Sequence, residues 1–416
     1  MRRDAKTQAI ILRRAMACNR YLRYRIRAID AATFEIGCRP ETFATEFRYL
    51  RSDPPWSLDN TKPWFIEKGP TGCMQVTYHA GEDFLDLADG MRAIDEAICY
   101  LNLQRGDRIG HALALGVAPE LHYKFKENQI WLPRQNLLDN LIWILYRCRA
   151  WGITLSAEYQ MQLERTVRQL LREIYPRELS ESPNAGYYYY ESWKLRGDSP
   201  GIYRGAGGPN PVRETAANIF LCDRIATGKN YWYYAINRRD WGMGKLSGAR
   251  QEENILRFLY AYHFDAEVRR KGDESVYWEI TKPYICLMHE IQDRMIERIE
   301  KFGIAIECNP SSNVLIGTFH RYEFHPIFRF NHYGLRFLES EPHMPQLKVS
   351  VNTDDQGVFD TSLEFEYALL MSSLQRRTDD VGRRLFSDDE ILAYLNHLRD
   401  MGNEQAFRPK LPARMR

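Results

Sequence analysis

Three short motifs in this 416-residue chain end in side chains that bind metals or move protons: His79-Ala80-Gly81-Glu82, Arg108-Ile109-Gly110-His111 and Asn352-Thr353-Asp354-Asp355. Imidazole and carboxylate groups are the ligands and acid-base partners of zinc hydrolases, in which about three protein ligands leave one position open for water. A histidine followed three residues later by a glutamate can put a ligand and a proton carrier at one site. Each motif alone has an ordinary reading. A lone histidine is more often a hydrogen-bonded structural residue, Glu82 would be a surface carboxylate after a turn, and an aspartate pair usually ends a strand or caps a helix. Their order along one chain is what gives them weight.

The elements that must position these residues share one design. Met74 to Tyr78 is a β-type run ending at His79, Ile109 lies in a short strand-like run after Gly106 and Asp107, and Val349 and Val351 alternate up to the aspartates. Three strands that each end in a titratable side chain match a (β/α) barrel, whose catalytic residues sit at the C-terminal ends of different parallel strands. Helical spacing separates them. Met91, Ile94, Ala97, Ile98 and Leu101 form one apolar stripe, and Leu287, Ile291, Met295, Ile299 and Phe302 form another that stops at Gly303, a left-handed cap. Residues 6–24 and 41–51 read as helices and 26–32 as a strand, with a proline-rich loop at Pro54, Pro55 and Pro63 between them and the first motif. Thr361 and Glu364 have capping-box spacing at the start of the helix after the aspartates.

Taken together, the motifs resemble those of the adenosine deaminase family of zinc-dependent purine deaminases. The resemblance covers much of residues 25–117 and 284–416. Ala28-Ile29-Asp30-Ala31-Ala32-Thr33-Phe34-Glu35 looks like the family's fourth-strand segment, with Thr33 where a glycine is usual. Glu307-Cys308-Asn309-Pro310-Ser311-Ser312-Asn313, His325-Pro326 and Asp354-Asp355 with Gly357-Val358-Phe359 are similar to the seventh- and eighth-strand patterns. Within the family, Gly110-His111-Ala112 and the long segment before Glu307 look more like the large deaminase subunits of bacterial anti-phage systems such as RADAR. The resemblance implies His79 and Asp354 as zinc ligands and Glu82 as proton donor to the purine ring nitrogen. It implies that His111 and Asp355 hold and deprotonate the attacking water, with Asp30, Thr33 and Gly81 lining the substrate site. The implied reaction converts adenosine or an adenine nucleotide to its inosine form and releases ammonia. The alternative is an inactive assembly subunit that keeps a deaminase-like barrel.

One departure bears on the fold. The family's other zinc ligands form a His-x-His pair on the first strand, and none of the ten histidines here is spaced that way. Only 78 residues precede His79, room for about two strand-helix units at roughly 30 residues each. The expected fold is therefore α/β, a (β/α)8 TIM-barrel type that is partial, strands four to eight. The barrel would comprise 1–117 and 277–416, with a missing N-terminal segment or subunit supplying the remaining ligands. An isolated chain is then expected to be poorly soluble or oligomeric, to hold zinc well below one per chain, and not to deaminate adenosine, ATP or dATP.

Between 118 and 276 the strand-helix alternation breaks, and a helical insertion is expected near the mouth of the barrel. Leu137, Leu138, Leu141, Ile142 and Leu145 mark one helix, Tyr159, Leu163, Val167, Leu170 and Ile174 a second ending at Pro176, and 251–265 a third. The Tyr187 to Tyr190 run reads as packing rather than a base-stacking platform, and Gly205 to Gly208 as a loop without a phosphate-cradle pattern. Structural roles are expected for His320, His325 and His332. Fifty-seven basic against fifty-five acidic residues leave a net charge of +2, which argues against nucleic acid as a partner. Eight cysteines without Cys-x-x-Cys pairs read as buried thiols of a reducing compartment, and no apolar run reaches membrane-spanning length. A cytoplasmic homo-oligomer is the expectation.

Overall fold

The computed structural model describes residues 1–19, 22, 25–32, 34–51, 74–207, 236, 238, 246–335 and 345–407. Its centre is a parallel sheet of five strands, β1 (Ala28–Ile29), β2 (Gln75–Ala80), β3 (Arg108–His111), β6 (Ala305–Cys308) and β7 (Val349–Val351), paired in that order. The registers align the motif ends. His79 pairs with Gly110, Ala80 with His111, Gly110 with Glu307 and Cys308 with Val351. Alternation along β2 explains its two faces: Val76, Tyr78 and Ala80 are buried, whereas Gln75, Thr77 and His79 are only partly covered.

Helices cover the apolar face. After α1 (Arg2–Cys18) and α2 (Ala44–Arg51), helix α3 (Leu87–Tyr100) follows β2 and is buried along its whole length. Met91, Ile94, Ala97 and Ile98 pack at zero exposure, as their spacing predicts. The inserted region contributes α4 (Arg134–Trp151), α5 (Ala157–Ile174), α6 (Ala185–Leu195) and α7 (Glu253–Phe264). Helix α8 (Lys282–Phe302) ends at Gly303, whose φ of 64° is the left-handed cap expected there. Beyond β7 come α9 (Leu363–Gln375) and α10 (Asp388–Gln405).

Several local expectations are corrected. The strand expected over 26–32 has only two paired residues, because β1 is an edge strand bonded to β2 alone. The inserted region also contains strands: β4 (Gln129–Pro133) pairs antiparallel with β5 (Ser275–Glu279). Their paired residues, from Pro133 with Ser275 to Gln129 with Glu279, are far apart in the chain, beyond any local pattern. The cap of α9 is Ser362, whose side chain accepts from the Phe365 amide, while Thr361 instead donates to Glu366 Oε1 at 2.5 Å. The capping box belongs to Ser387 and Glu390 at the start of α10. Cys38, Cys99, Cys148 and Cys308 are buried, but Cys18 and Cys286 are exposed. Tyr189 and Tyr190 are buried in packing, Tyr190 stacked on Tyr146 with ring centroids 3.9 Å apart. Thr33, Cys73, Cys222, Gly208 and the proline-rich loop lie outside the described residues. Among the described residues, no helix is long and apolar enough to cross a membrane.

Candidate functional site

The C-terminal ends of β2, β3 and β7 bring three of the motif side chains together. His111 is buried, with Nδ1 2.9 Å from Glu82 Oε1 and Nε2 3.6 Å from Asp354 Oδ2. Glu82, His111 and Asp354 each offer a donor atom within 4.8 Å of the others, a group that could hold a metal ion. Two carboxylates and an imidazole suit a divalent ion such as zinc. Glu82 Oε1 adds a second indication, since it is buried and has no aligned hydrogen bond. A buried carboxyl oxygen facing a ring nitrogen is favourable only with a proton or a cation between them. The donor set therefore fits a metal.

Backbone strain marks the same spot. Gly81, His111, Ala112 and Asp354 have φ of 79°, 61°, 50° and 57°. Left-handed conformations cost a residue with a side chain of order 1 kcal/mol or more, and they persist where surrounding contacts over-determine them. At Gly81 both backbone and space require glycine, because an added Cβ would meet Ile94 Cδ1 at 2.6 Å. The turn it makes aims Glu82 back over the strand ends.

That turn is held by a residue that carried no role in the sequence reading. Glu35 accepts from the Gly81 amide at 2.7 Å and from the Glu82 amide at 2.9 Å. Burial raises its carboxyl to about 7, against the lowering effect of those two hydrogen bonds. No spacing rule could have found it, since the contact joins two loops 46 residues apart. The Gly81 N–H, part of the expected substrate lining, is thus already committed to Glu35.

His79 stands beside this group and pairs elsewhere. Its Nδ1 lies 3.1 Å from Asp30 Oδ2, and its ring centroid is 5.1 Å from that of His111. Gly110 makes room for it, since a Cβ there would touch the His79 ring at 3.0 Å. Burial works to lower the His79 pKa, but the Asp30 hydrogen bond and charge, with Glu307 and Glu82 behind them, raise it to about 9. Asp355 is exposed and its amide donates to Asp354 Oδ1 at 3.0 Å. It is not brought into the cluster, and neither is Asp30 beyond its contact with His79.

The loop after β6 closes the site from the far side. Asn309 Nδ2 lies 3.3 Å from His111 Nε2 and 3.5 Å from Asp354 Oδ2, and Asn313 Nδ2 lies 2.8 Å from His111 Nδ1. His325 reaches Asn313 in turn. Below them, Glu307 accepts from Thr77 Oγ1 at 2.7 Å and pairs with Arg108 at 2.9 Å, tying β2, β3 and β6 on their partly covered face. A search of known protein families finds no family model that matches the chain, and a search of curated proteins finds no matching sequence.

Proposed function

We propose that this chain forms strands four to eight of a zinc-dependent deaminase barrel acting on adenosine or an adenine nucleotide. The observation that supports it most is the convergence of Glu82, His111 and Asp354 from the ends of three parallel strands. The order of the sheet adds support: apart from the β4–β5 pair, the strands neighbour one another in chain order, as consecutive barrel strands do.

A bound zinc ion would supply Lewis acidity that makes water nucleophilic near neutral pH. The residues that would hold it are Asp354 with His79, the pair the resemblance implies, or Asp354 with Glu82 and His111, the group that meets within 4.8 Å. Glu82, partly buried on the turn fixed by Glu35, delivers a proton to the purine ring nitrogen and makes the amine-bearing carbon electrophilic. His111, with Asp355 on the next turn, orients the attacking water and takes its proton. The amine then leaves as ammonia. Asp30, which holds His79, would lie on the substrate side.

Glu82→Gln keeps size and removes the transferable proton. In zinc-loaded protein it is expected to lower deamination of adenosine, ATP or dATP by roughly 10²–10⁴-fold, followed as conversion of adenine to hypoxanthine absorbance. Near-normal turnover would overturn the role of Glu82. The second reading, an assembly subunit without chemistry, is favoured by the outlying, exposed Asp355. Zinc-loaded protein that deaminates none of these substrates would favour that reading instead.

A further inference from the structure

Glu82 can face His111 only while the turn that carries it is held, and the turn supplies little rigidity of its own. Gly81 sits at a φ of 79°, and glycine passes between left-handed and ordinary conformations at little cost. What holds the turn is the peptide unit that joins Gly81 to Glu82. Its carbonyl, on Gly81, accepts from the Ala114 amide at 2.9 Å. Its N–H, on Glu82, donates to Glu35 Oε1 at 2.9 Å, and the preceding Gly81 N–H donates to Glu35 Oε2 at 2.7 Å. Two successive amides converging on one carboxylate form an anion-binding nest, filled here by a side chain of the same protein. A planar unit tied at both edges is kept from rotating, which fixes the direction in which the Glu82 side chain leaves the backbone.

Glu35 is held in turn. It lies beyond the end of β1, on a segment fastened on either side of it. Before it, Asp30 Oδ2 meets His79 Nδ1 at 3.1 Å, and after it Arg39 pairs with Asp89 at 3.0 Å and with Glu96 at 2.8 Å, both on α3. All three ties run to one unit, β2 with the turn and the helix that follow it. The ladder of β1 contributes only two paired residues to holding this segment.

We propose that Glu35 is a positioning residue: by holding the Gly81-Glu82 peptide it keeps the Glu82 carboxyl 2.9 Å from His111 Nδ1 and sets the affinity of the Glu82, His111 and Asp354 group for a divalent metal ion. This rests on the proposed function for the presence of a metal and takes the ligand set that includes Glu82. It adds a residue that bonds to the backbone of a ligand rather than to the metal. Groups that hold a ligand from behind are typically worth about 10–100-fold in metal affinity.

Two measurements on the full chain separate positioning from general support of the fold. Gly81-Glu82 is the only Gly-Glu pair in the sequence, so 13C at glycine carbonyls and 15N at glutamates leave one correlated amide, that of Glu82. In metal-free protein its proton should resonate downfield, as in charge-assisted hydrogen bonds to a carboxylate, and should move upfield in Glu35→Ala. Zinc affinity is then measured by competition with a chromophoric chelator. Glu35→Ala should weaken it by about 10–100-fold. In a Glu82→Gln background the same substitution should add little, because its effect passes through Glu82, whereas loss of general support would weaken binding in both backgrounds alike. Glu35→Leu, which keeps bulk and offers no acceptor, takes the place of Glu35→Ala if that variant does not fold. An amide resonance that stays in place overturns the proposal, as does an unchanged zinc affinity or an equal loss in the two backgrounds. If the unsubstituted chain binds no zinc, the functional reading fails, and the amide by itself decides whether Glu35 positions Glu82.

Discussion

At the residue scale, the motifs named the participants of the site but not their partnerships. Glu82, His111 and Asp354 could be read from the sequence because each ends a strand-like run. Glu35, Asn309, Asn313 and His325 could not be given roles, because what recruits them is a contact across loops, such as the 12-residue span from Asn313 to His325. His325 was read as structural, and it is buried, but its ring buttresses the site. His79 lies outside the group that meets within 4.8 Å. A ligand histidine must present a neutral nitrogen to the metal, and the contact of His79 Nδ1 with Asp30 leaves Nε2 as the nitrogen that could do so. Zinc content of two variants separates the ligand sets. If His79 coordinates when metal binds, His79→Ala should lose most of the zinc and His111→Ala should retain it, with activity lost in both. Elemental analysis of protein dialysed against trace zinc gives the answer, and the reverse pattern would make His111 the ligand.

At the element scale, apolar periodicity located α3, α4, α5, α7 and α8 well, because their buried stripes are set by nearest neighbours on one face. What it could not show is how the inserted helices attach. They do so through apolar packing, in which Leu138, Leu141 and Leu163 join the cluster of Ile94 and Ile98, and through buried charge. Asp95 on α3 accepts from Trp143 Nε1 at 2.8 Å, pairs with Arg147 on α4 at 2.7 Å and also pairs with Arg298 on α8. Burial works to raise the Asp95 pKa, and the two guanidinium groups outweigh it and hold the carboxyl well below its ordinary value. Nearby, Asp139 on α4 binds Arg196 at 2.7 Å, and Arg92 on α3 donates to Asn140 Oδ1 on α4 at 3.0 Å. Removing one member of such a set leaves the others buried with uncompensated charge, which typically costs about 3–5 kcal/mol. Asp95→Ala should therefore lower the unfolding free energy by about that amount in urea titration. Glu181→Ala, which breaks the exposed pair with Arg177 on the surface, should move it little. Equal effects would mean that the buried cluster is not what docks α4 and α8 on α3.

At the scale of the whole molecule, the response to acid follows from groups that the fold keeps from their ordinary charge. Burial lowers His122 and His325 to about 3 and His263 well below its ordinary value of 6.5. In the unfolded chain these rings protonate near 6.5, so their contribution to stability is complete above that pH and is lost as pH falls toward about 3. Two carboxyls act in the opposite sense. Burial raises Asp86, held between the hydroxyls of Tyr123 and Tyr284, to about 6, and raises Glu35 to about 7. Folded protein takes up those protons before unfolded protein does, so this contribution is present at low pH and lost as pH rises through those values. His79, raised to about 9, behaves likewise and loses its contribution as pH rises through about 9. From about pH 6 to 5 the three histidines outweigh the two carboxyls by about one proton. The carboxyl contribution is complete only below the ordinary values of 4.5 and 3.8 for Glu35 and Asp86, and there the three histidines set the slope, each proton being worth about 1.4 kcal/mol per pH unit. Asp139 and Asp198, held low by their arginine partners, add to the loss there. Unfolding free energy measured in urea across pH should therefore fall by about one proton's worth between about 6 and 5 and more steeply between about 4 and 3. His122→Gln, which keeps a polar partner for Thr318 without a titrating ring, should reduce that steep slope by about one proton's worth. An acid limb of unchanged slope in that variant would show that neutral buried imidazoles are not what makes the fold sensitive to acid.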